Sequence, residues 1–278
     1  MIPARFAYDR PASLEEALGL LGEANGSARP LAGGQSLLPV MKLRLARPER
    51  LVDVGGFDEL RGVRWLDDGR LAIGALTTWA ALLADPRVMA YGLLADAIPT
   101  IGDVQVRNRG TLGGSLAHAD PASDIAAPML ALDAELVVRS AGGERTVAMR
   151  DLDAGPFVTT LAPGELITEV RLPGPRDGVG SAYVALPHPA SGYPVAGVAA
   201  VVGGGLDAVA VTGVGEQPYR ATAVEAALRA GVPIGEAVAT IVDGQHVLTD
   251  PYADRAYRGA MAKVVAERAI AAARRRAG

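Results

Sequence analysis

Two pairs of consecutive glycines stand in segments rich in hydroxyl and amide groups. The first segment is Ala32-Gly33-Gly34-Gln35-Ser36, and the second is Thr111-Leu112-Gly113-Gly114-Ser115. Because glycine has no Cβ, successive glycines let backbone N–H groups converge on an anion without steric cost. Two such turns facing each other would bind a pyrophosphate, and nearby hydroxyls would add donors.

Taken alone, each glycine pair is also typical of an ordinary turn. The chain has 34 glycines, so such pairs are expected in turns without any binding role. Neither segment matches the G-x-G-x-x-G pattern or the P-loop pattern, which disfavours a Rossmann nucleotide site and a Walker site. The interpretation as an anion site therefore depends on the two turns meeting in space.

Polar residues follow the second glycine pair. His118 reads equally well as an ordinary polar residue, and Asp120 or Ser123 could simply cap the next helix. Asp124 would lie in the first turn of that helix, where a carboxylate suits the helix dipole or accepts a hydrogen bond from a ligand. No second histidine or carboxylate stands at metal-ligand spacing, so we predict no metal site.

Two further segments have both a functional and a structural interpretation. Arg107-Asn108-Arg109 would attract an anion or form a solvated loop. Tyr193, in Ser191-Gly192-Tyr193-Pro194, would stack on a planar ligand or pack at an interface.

The elements that must position these residues follow from capping and periodicity. Ser13 and Glu16 form a capping box before a helix whose apolar residues recur at helical spacing. Gly102 to Asp120 reads as a loop too long for a mere connector, and loops of that length are usually functional. Other helices are predicted over about 77–83, closed by Pro86, and over 90–98 and 123–132.

A linker at Pro173–Gly178 separates a second region with a different pattern. Three strands are predicted at 181–186, 195–202 and 206–214, followed by helices at 221–230, 234–241 and 251–276. In the last helix, four apolar residues are expected to line one face: Tyr257, Met261, Val264 and Val265. Strands followed by helices indicate an α+β domain with an antiparallel sheet against a helical layer.

Composition limits the class of protein. The net charge is −4 and the charges are well mixed, so no nucleic-acid footprint is evident. The chain has no cysteine, which excludes disulfides, cysteine-ligated iron–sulfur clusters and a cysteinyl nucleophile within it. The apolar stretches are shorter than the ~20 residues that span a bilayer. With no signal pattern at the N-terminus, we expect no transmembrane segment and a cytoplasmic protein.

Together the three segments resemble a known family. Residues 32–39 with 41–46 resemble the first FAD-contact segment of the flavin-binding medium subunits of molybdenum hydroxylases, the carbon monoxide dehydrogenase and xanthine dehydrogenase family. Residues 111–115, with His118, Asp120 and Asp124, resemble the second segment. Residues 191–195 resemble the segment whose aromatic side chain covers the flavin ring in the carbon monoxide dehydrogenase branch.

The resemblance implies an α+β fold: a two-lobed FAD-binding domain of the vanillyl-alcohol-oxidase (PCMH) type over 1–175, with lobes of about 1–56 and 57–175. A smaller domain of antiparallel strands and helices over 179–278 would close over the ring. The resemblance assigns FAD binding to Ala32, Gly33, Gly34, Gln35, Ser36, Leu37, Thr111, Gly113, Gly114, Ser115, His118, Asp124 and Tyr193.

Specific roles also follow from the resemblance. Backbone N–H groups of 33–36 and of 113–115 would hold the diphosphate. Asp124 would hold the ribityl chain or ring edge, and Tyr193 would shield one ring face. The implied complex has a small [2Fe–2S] subunit and a large molybdenum subunit, as a dimer of heterotrimers. This chain would carry electrons from the clusters through FAD to a final acceptor, and no residue of it is predicted to be catalytic.

Two departures from the family leave alternatives open. Many relatives have Asn where Ser115 stands, and relatives often have Lys in the strand where this chain has Ala185. The alternatives are a self-sufficient flavin oxidase and a scaffold subunit that keeps the fold without the flavin.

Overall fold

The computed structural model describes residues 2–278. Within them the α-helices, α1 to α11 in chain order, are Leu14–Glu23, Leu37–Lys42, Trp79–Leu83, Pro86–Met89, Gly92–Ala97, Val104–Arg107, Leu112–His118, Ala126–Ala131, Thr222–Arg229, Ile234–Ala237 and Arg255–Ala277. The strands, β1 to β14, are Ala7–Asp9, Ala28–Leu31, Arg50–Asp53, Val63–Trp65, Leu71–Gly74, Glu135–Ser140, Gly143–Ala148, Asp153–Gly155, Val158–Thr159, Leu166–Leu172, Gly180–Pro187, Pro194–Gly203, Leu206–Thr212 and Tyr219–Arg220.

The first lobe is a small parallel sheet in the order β1-β3-β2, covered by α1. The predicted cap of α1 is confirmed: the Ser13 side chain accepts a hydrogen bond from the Glu16 N–H at 3.2 Å. The Glu16 carboxylate in turn accepts from the Ala12 N–H at 2.7 Å. Strand β2 leads directly into the first glycine segment, so this lobe fixes where that turn lies.

The second lobe is an antiparallel sheet in the order β4-β5-β10-β6-β7. Helices α3, α4, α5, α7 and α8 contribute apolar side chains to the same core as this sheet. The second glycine segment opens α7, which lies against β10. An isolated bridge between Thr78 and Thr111 ties the start of α7 to the start of α3.

The C-terminal region is an antiparallel sheet in the order β11-β12-β13-β14, with both faces covered. One face, which includes Val198 and Ala200, packs with α9 and α11 into a core of its own. The opposite face, which includes Tyr183, Ala199 and Val201, belongs to the core of the second lobe. The sheet is therefore sandwiched between its own helices and the preceding lobe.

Several predicted elements differ from the structure. The predicted loop over 102–120 contains two short helices, α6 and α7, capped by Asp103 and Thr111. The predicted helix over 123–132 begins three residues later, at Ala126. The helix predicted over 90–98 is shorter in the structure, where α5 covers Gly92–Ala97. Pro86 was expected to end the preceding helix but begins α4, because proline fits the first turn of a helix.

The predicted apolar face of α11 is only partly buried. Tyr257 is 45% exposed, whereas the fully covered positions carry small or branched residues that include Ala262, Ala266 and Ala273. The sheet approaches α11 so closely that a Cβ on Gly180 would lie 2.0 Å from the Ala273 carbonyl oxygen. This approach requires glycine on the strand, and the small side chains at Ala262, Ala266 and Ala273 permit close packing along the helix.

Among the described residues, no helix combines the length and apolar character needed to cross a bilayer.

Candidate functional site

The two glycine segments meet in space. A Cβ on Gly33 would lie 2.0 Å from the carbonyl oxygen of Arg109, two residues before Thr111. A Cβ on Gly114 would lie 3.9 Å from the Cβ of Ala32. The backbone of one segment is thus in contact with the other, and the absence of side chains at these glycines permits the approach.

The first glycine segment presents unused backbone donors. Within residues 2–278, none of the N–H groups from Gly33 to Leu37 has a hydrogen-bond acceptor. Gly34 has the left-handed φ of +72°, and Ser36 begins α2 without a side-chain hydrogen bond to the helix. Successive N–H groups around a left-handed residue form a concave anion site. This turn therefore has the donors that a diphosphate requires.

The second glycine segment uses its backbone donors within the fold. The N–H of Leu112 donates to Thr77 O at 3.1 Å, and the N–H of Gly113 donates to Ala75 O at 2.8 Å. The two following N–H groups both donate to Thr111: Gly114 N to the side-chain oxygen and Ser115 N to the carbonyl. These four N–H groups therefore already have acceptors within the fold, and their predicted contact with a diphosphate stays a prediction.

The two glycines of this segment serve different contacts. Gly113 is buried, and a Cβ there would lie 2.5 Å from the Cβ of Ala75. Gly114 is exposed, and apart from the Thr111 hydroxyl at 2.7 Å its Cβ position faces open space beside Ala32. Gly113 lets α7 pack onto the loop after β5, whereas Gly114 keeps the surface between the two segments free.

An open cleft of about 360 Å³ lies beside the contact between the segments. Besides Gly33 and Thr111, its lining includes the polar residues Arg61, Asn108 and Arg109. Arg107, predicted as part of an anion-attracting group, instead donates to the carbonyls of Pro99, Ile101 and Gly102. Its guanidinium therefore holds the turn before α6 together.

A second, smaller cavity, open to solvent, lies farther along α7. Ser115, Asp120, Ser123 and Asp153 line it, and the hydroxyls of Ser115 and Ser123 are 3.3 Å apart. Burial raises the pKa of Asp153 to about 6. The beginning of α7 borders the cleft, and its later residues border the second cavity. Polar side chains are therefore exposed along the length of this helix.

Asp124 is buried beyond the second cavity. Its carboxylate accepts a hydrogen bond from the Tyr183 hydroxyl at 2.7 Å. Burial raises the pKa of Asp124 to about 6, while the Tyr183 and Thr100 hydroxyls act in the opposite direction. Burial, followed by the charge of Asp124, raises the pKa of Tyr183 far above its usual range.

Tyr193 lies on the turn before β12, and its side chain is 48% exposed. Partial burial raises its pKa, and the negative charges of Asp120 and Asp124 act in the same direction. The side chain of His188 holds the turn, because its Nδ1 accepts from Ala190 N at 3.1 Å and from Ser191 N at 3.2 Å. Hydrogen bonds therefore hold the turn that carries Tyr193, and its phenol lies close enough to both carboxylates for their charges to raise its pKa.

His118 lies at the last turn of α7, where its ring packs against Phe157 with the ring centroids 5.2 Å apart. Burial lowers the pKa of His118, which favours the neutral imidazole. Gln35 is exposed on the first turn, and its side-chain amide lies 3.3 Å from the Gly33 carbonyl.

Comparison with known proteins identifies the family and the cofactor. The sequence profile of the family described as the FAD-binding domain in molybdopterin dehydrogenase matches residues 4–175. The chain belongs to this family. FAD is thus the cofactor of this molybdopterin-dehydrogenase flavoprotein, and the free donors of the first glycine turn fit its diphosphate.

Relatives match this flavoprotein over nearly its whole length. The carbon monoxide dehydrogenase medium chain of Hydrogenophaga pseudoflava is 38% identical and covers 98% of each chain. The glyceraldehyde dehydrogenase medium chain of Sulfolobus acidocaldarius is 41% identical over 81% of each chain. The solved carbon monoxide dehydrogenase of Hydrogenophaga pseudoflava superposes with a TM-score of 0.93, at 40% identity and 99% coverage of both chains.

These likenesses confirm the predicted family, the PCMH-type α+β fold class and FAD as cofactor. The flavoprotein is an oxidoreductase subunit of the medium-chain type.

Sequence reasoning missed three residues around the site. Arg61 reaches the cleft from the connection between the lobes, and no local pattern marks it. Tyr183 and Asp153 lie on strands, where their types are ordinary. Only the tertiary contacts with Asp124 and the second cavity reveal them.

Proposed function

We propose that this chain is the electron-transferring FAD subunit of a molybdenum hydroxylase complex. It accepts electrons from [2Fe–2S] clusters on a small partner subunit and delivers them to a final acceptor. A large partner subunit carries the molybdenum centre, and the complex is a dimer of heterotrimers. The observation that carries the proposal is the row of free N–H donors from Gly33 to Leu37, in contact with the second glycine segment, in a member of this FAD-binding family.

Two regions of the chain hold two parts of the dinucleotide, the diphosphate and the flavin ring. The N–H groups of the first glycine turn bind the diphosphate, with Arg109 adding positive charge at the edge of the cleft. The open surface at Gly114 leaves room for the phosphates, and the hydroxyl of Ser115 lies farther along the same helix. Helix α7 serves as the floor along which the cofactor extends.

The ring end of the site is formed by buried and aromatic groups. Asp124 accepts a hydrogen bond from the ribityl chain or the ring edge, and Tyr193 covers one ring face. His118 packs at the end of α7 between these two regions. Electron transfer itself is chemistry that the flavin supplies when bound, and the protein contributes orientation, dielectric and hydrogen bonding.

The absence of cysteine in this chain supports the division of labour among subunits. Iron–sulfur clusters require thiolate ligands, so any clusters that feed the flavin must lie on another chain. The relatives named as medium chains of dehydrogenases are consistent with an assembly of this kind. The substrate would be bound by the large subunit.

The test is to purify the full chain and measure FAD per polypeptide from absorbance, before and after reconstitution. We expect one FAD per chain and no turnover of small aldehydes or aromatic heterocycles by the isolated chain. Flavin-dependent turnover by this chain alone would favour a self-sufficient oxidase. A chain that stays colourless after FAD titration would indicate a scaffold subunit.

Partner binding is tested by expressing the tagged chain in its native host. Co-purification of a molybdenum-containing chain and an iron-containing chain is expected, in equal amounts with this one. Reduction of the flavin in that complex on adding its substrate, and none in the isolated chain, would support the proposed electron path. A tagged chain that purifies without iron or molybdenum would contradict it.

A further inference from the structure

A row of hydroxyl groups crosses the C-terminal sheet and faces the 121–124 turn. Tyr183 on β11 donates to the Asp124 carboxylate at 2.7 Å. Thr212 on β13 donates to the carbonyl oxygens of Pro121 and Ser123, both at 2.9 Å. Two strands of one sheet thus hold the turn and its buried carboxylate from the same side.

The strand between them is shaped to admit the tyrosine. Gly197 on β12 stands opposite Thr212 in the ladder. A Cβ on Gly197 would lie 2.4 Å from the Tyr183 hydroxyl oxygen and 2.9 Å from the Thr212 methyl group. Gly197 has no left-handed backbone that would require glycine. The absence of a side chain at Gly197 therefore leaves space for the Tyr183 hydroxyl, which reaches Asp124.

The backbone of Tyr183 is fixed as well. Its N–H donates to the Asp96 carboxylate at 3.0 Å, and Asp96 is paired with Arg276 of α11 at 2.6 Å. Tyr183 itself is only 5% exposed, so its ring has no alternative position in solvent. A side chain held at both its backbone and its hydroxyl defines the orientation of the carboxylate it contacts.

We propose that Tyr183 is a positioning residue of the flavin site, which orients the Asp124 carboxylate toward the cofactor through a hydroxyl seated in the gap at Gly197. This inference rests on the proposed contact between Asp124 and the flavin. It makes the C-terminal sheet part of the binding site, although Tyr183 itself does not touch the cofactor. Tyr183 and Gly197 act together in this role: the glycine leaves the space, and the tyrosine hydroxyl in that space contacts Asp124.

The proposal predicts a specific dependence on pH. The groups that face Asp124 are the hydroxyls of Tyr183 and Thr100, together with the carboxylate of Asp120 and the phenol of Tyr193. A hydrogen bond from Tyr183 favours the ionised carboxylate, so removing it raises the pKa of Asp124. The pH at which flavin affinity changes should move upward in the same direction.

The experiment measures the dissociation constant of FAD for the full chain between pH 5 and 8. In wild type we expect a transition near the pKa of Asp124, about 6. Tyr183→Phe should move its midpoint up by about one pH unit, which is a tenfold change in the ratio of ionised to protonated carboxyl at a given pH. Tyr91→Phe is the matched control: Tyr91 is also 5% exposed and donates to the Pro173 carbonyl at 2.8 Å.

Tyr91→Phe should lower the melting temperature without moving the midpoint, as a purely structural tyrosine would. Gly197→Ala is the second variant, because its methyl group displaces the Tyr183 hydroxyl while the phenol remains, and it should also shift the midpoint upward. An unmoved midpoint in both Tyr183→Phe and Gly197→Ala, with the transition lost in Asp124→Asn, overturns the positioning role alone. A transition that persists in Asp124→Asn overturns the Asp124 contact itself and the inference with it.

Discussion

Gly114 offers the sharpest separation of cofactor binding from folding. Replacing it with alanine or valine adds a Cβ on the exposed surface between the two glycine segments, 3.9 Å from the Cβ of Ala32. The methyl group meets one protein atom closely, the Thr111 hydroxyl oxygen at 2.7 Å. That hydroxyl must rotate, and the cap that it provides to the N–H of Gly114 is lost.

The expected effects on stability nearly cancel for Gly114→Ala. Loss of the cap costs about 1 kcal/mol. Alanine in a helix gains roughly 0.5–1 kcal/mol over glycine. The apo chain should therefore unfold at nearly the wild-type temperature. Against a bound dinucleotide the added carbon is overpacked, which costs about 1–3 kcal/mol, or roughly 5- to 150-fold in affinity.

Valine should have the larger effect, because its branches extend farther into the space for the phosphates, and we expect Gly114→Val to retain no flavin. The assay compares FAD titration with thermal unfolding of the apo protein. Gly19→Ala is the matched control, since Gly19 lies in α1 and has no atom within 4 Å of its Cβ position. Wild-type affinity in Gly114→Val, with the fold intact, would refute the placement of the cofactor beside α7.

Three further perturbations test other contacts. Gly33→Ala should destabilise the apo chain by about 1–3 kcal/mol and abolish FAD binding, because its Cβ would overlap the Arg109 carbonyl. Urea unfolding measures the loss of stability, and an unfolding transition like that of the wild type would contradict the contact. Arg258→Met leaves two buried carbonyls without donors and should cost roughly 2–6 kcal/mol in urea unfolding, whereas the exposed neighbour Arg255→Ala should change little. Burial raises the pKa of Asp153 to about 6, so folding stability falls as pH rises from about 4 toward that value. Asp153→Asn should melt above wild type at pH 7.5 and close to it at pH 4, and equal gains at both pH values would exclude this titration.

The sequence was sufficient to predict the family, the cofactor and the meeting of the two glycine turns. It was not sufficient to predict how the second turn is used. The N–H groups of Leu112 and Gly113 bond to Thr77 and Ala75, more than thirty residues earlier in the chain, so no local pattern reveals that they are occupied. The same tertiary bonds stabilise the beginning of α7, a helix too short to form alone in water.

The face of α11 shows a second limit of pattern reading. Tyr257 belongs to the predicted apolar face of α11 yet is 45% exposed, whereas the core between helix and sheet contains the smaller Ala262, Ala266 and Ala273. The distance between helix and sheet decides this, and a close approach such as that at Gly180 admits only small side chains. Helical period is visible in a sequence, whereas interaxial distance is not.

The apolar coverage of both faces of the C-terminal sheet restricts how the dinucleotide enters. Ala199 and Val201 are part of the second lobe's core, and Thr212 is bonded to the turn beside Asp124. Rotating the whole C-terminal region away from the second lobe would break those bonds and expose that core to water. In the proposed site, the dinucleotide would therefore enter from the open cleft and past the 188–193 turn, with the C-terminal sheet in place. Apoprotein and holoprotein should then differ in the amide-exchange rates of this turn, while the angle between the two regions stays the same.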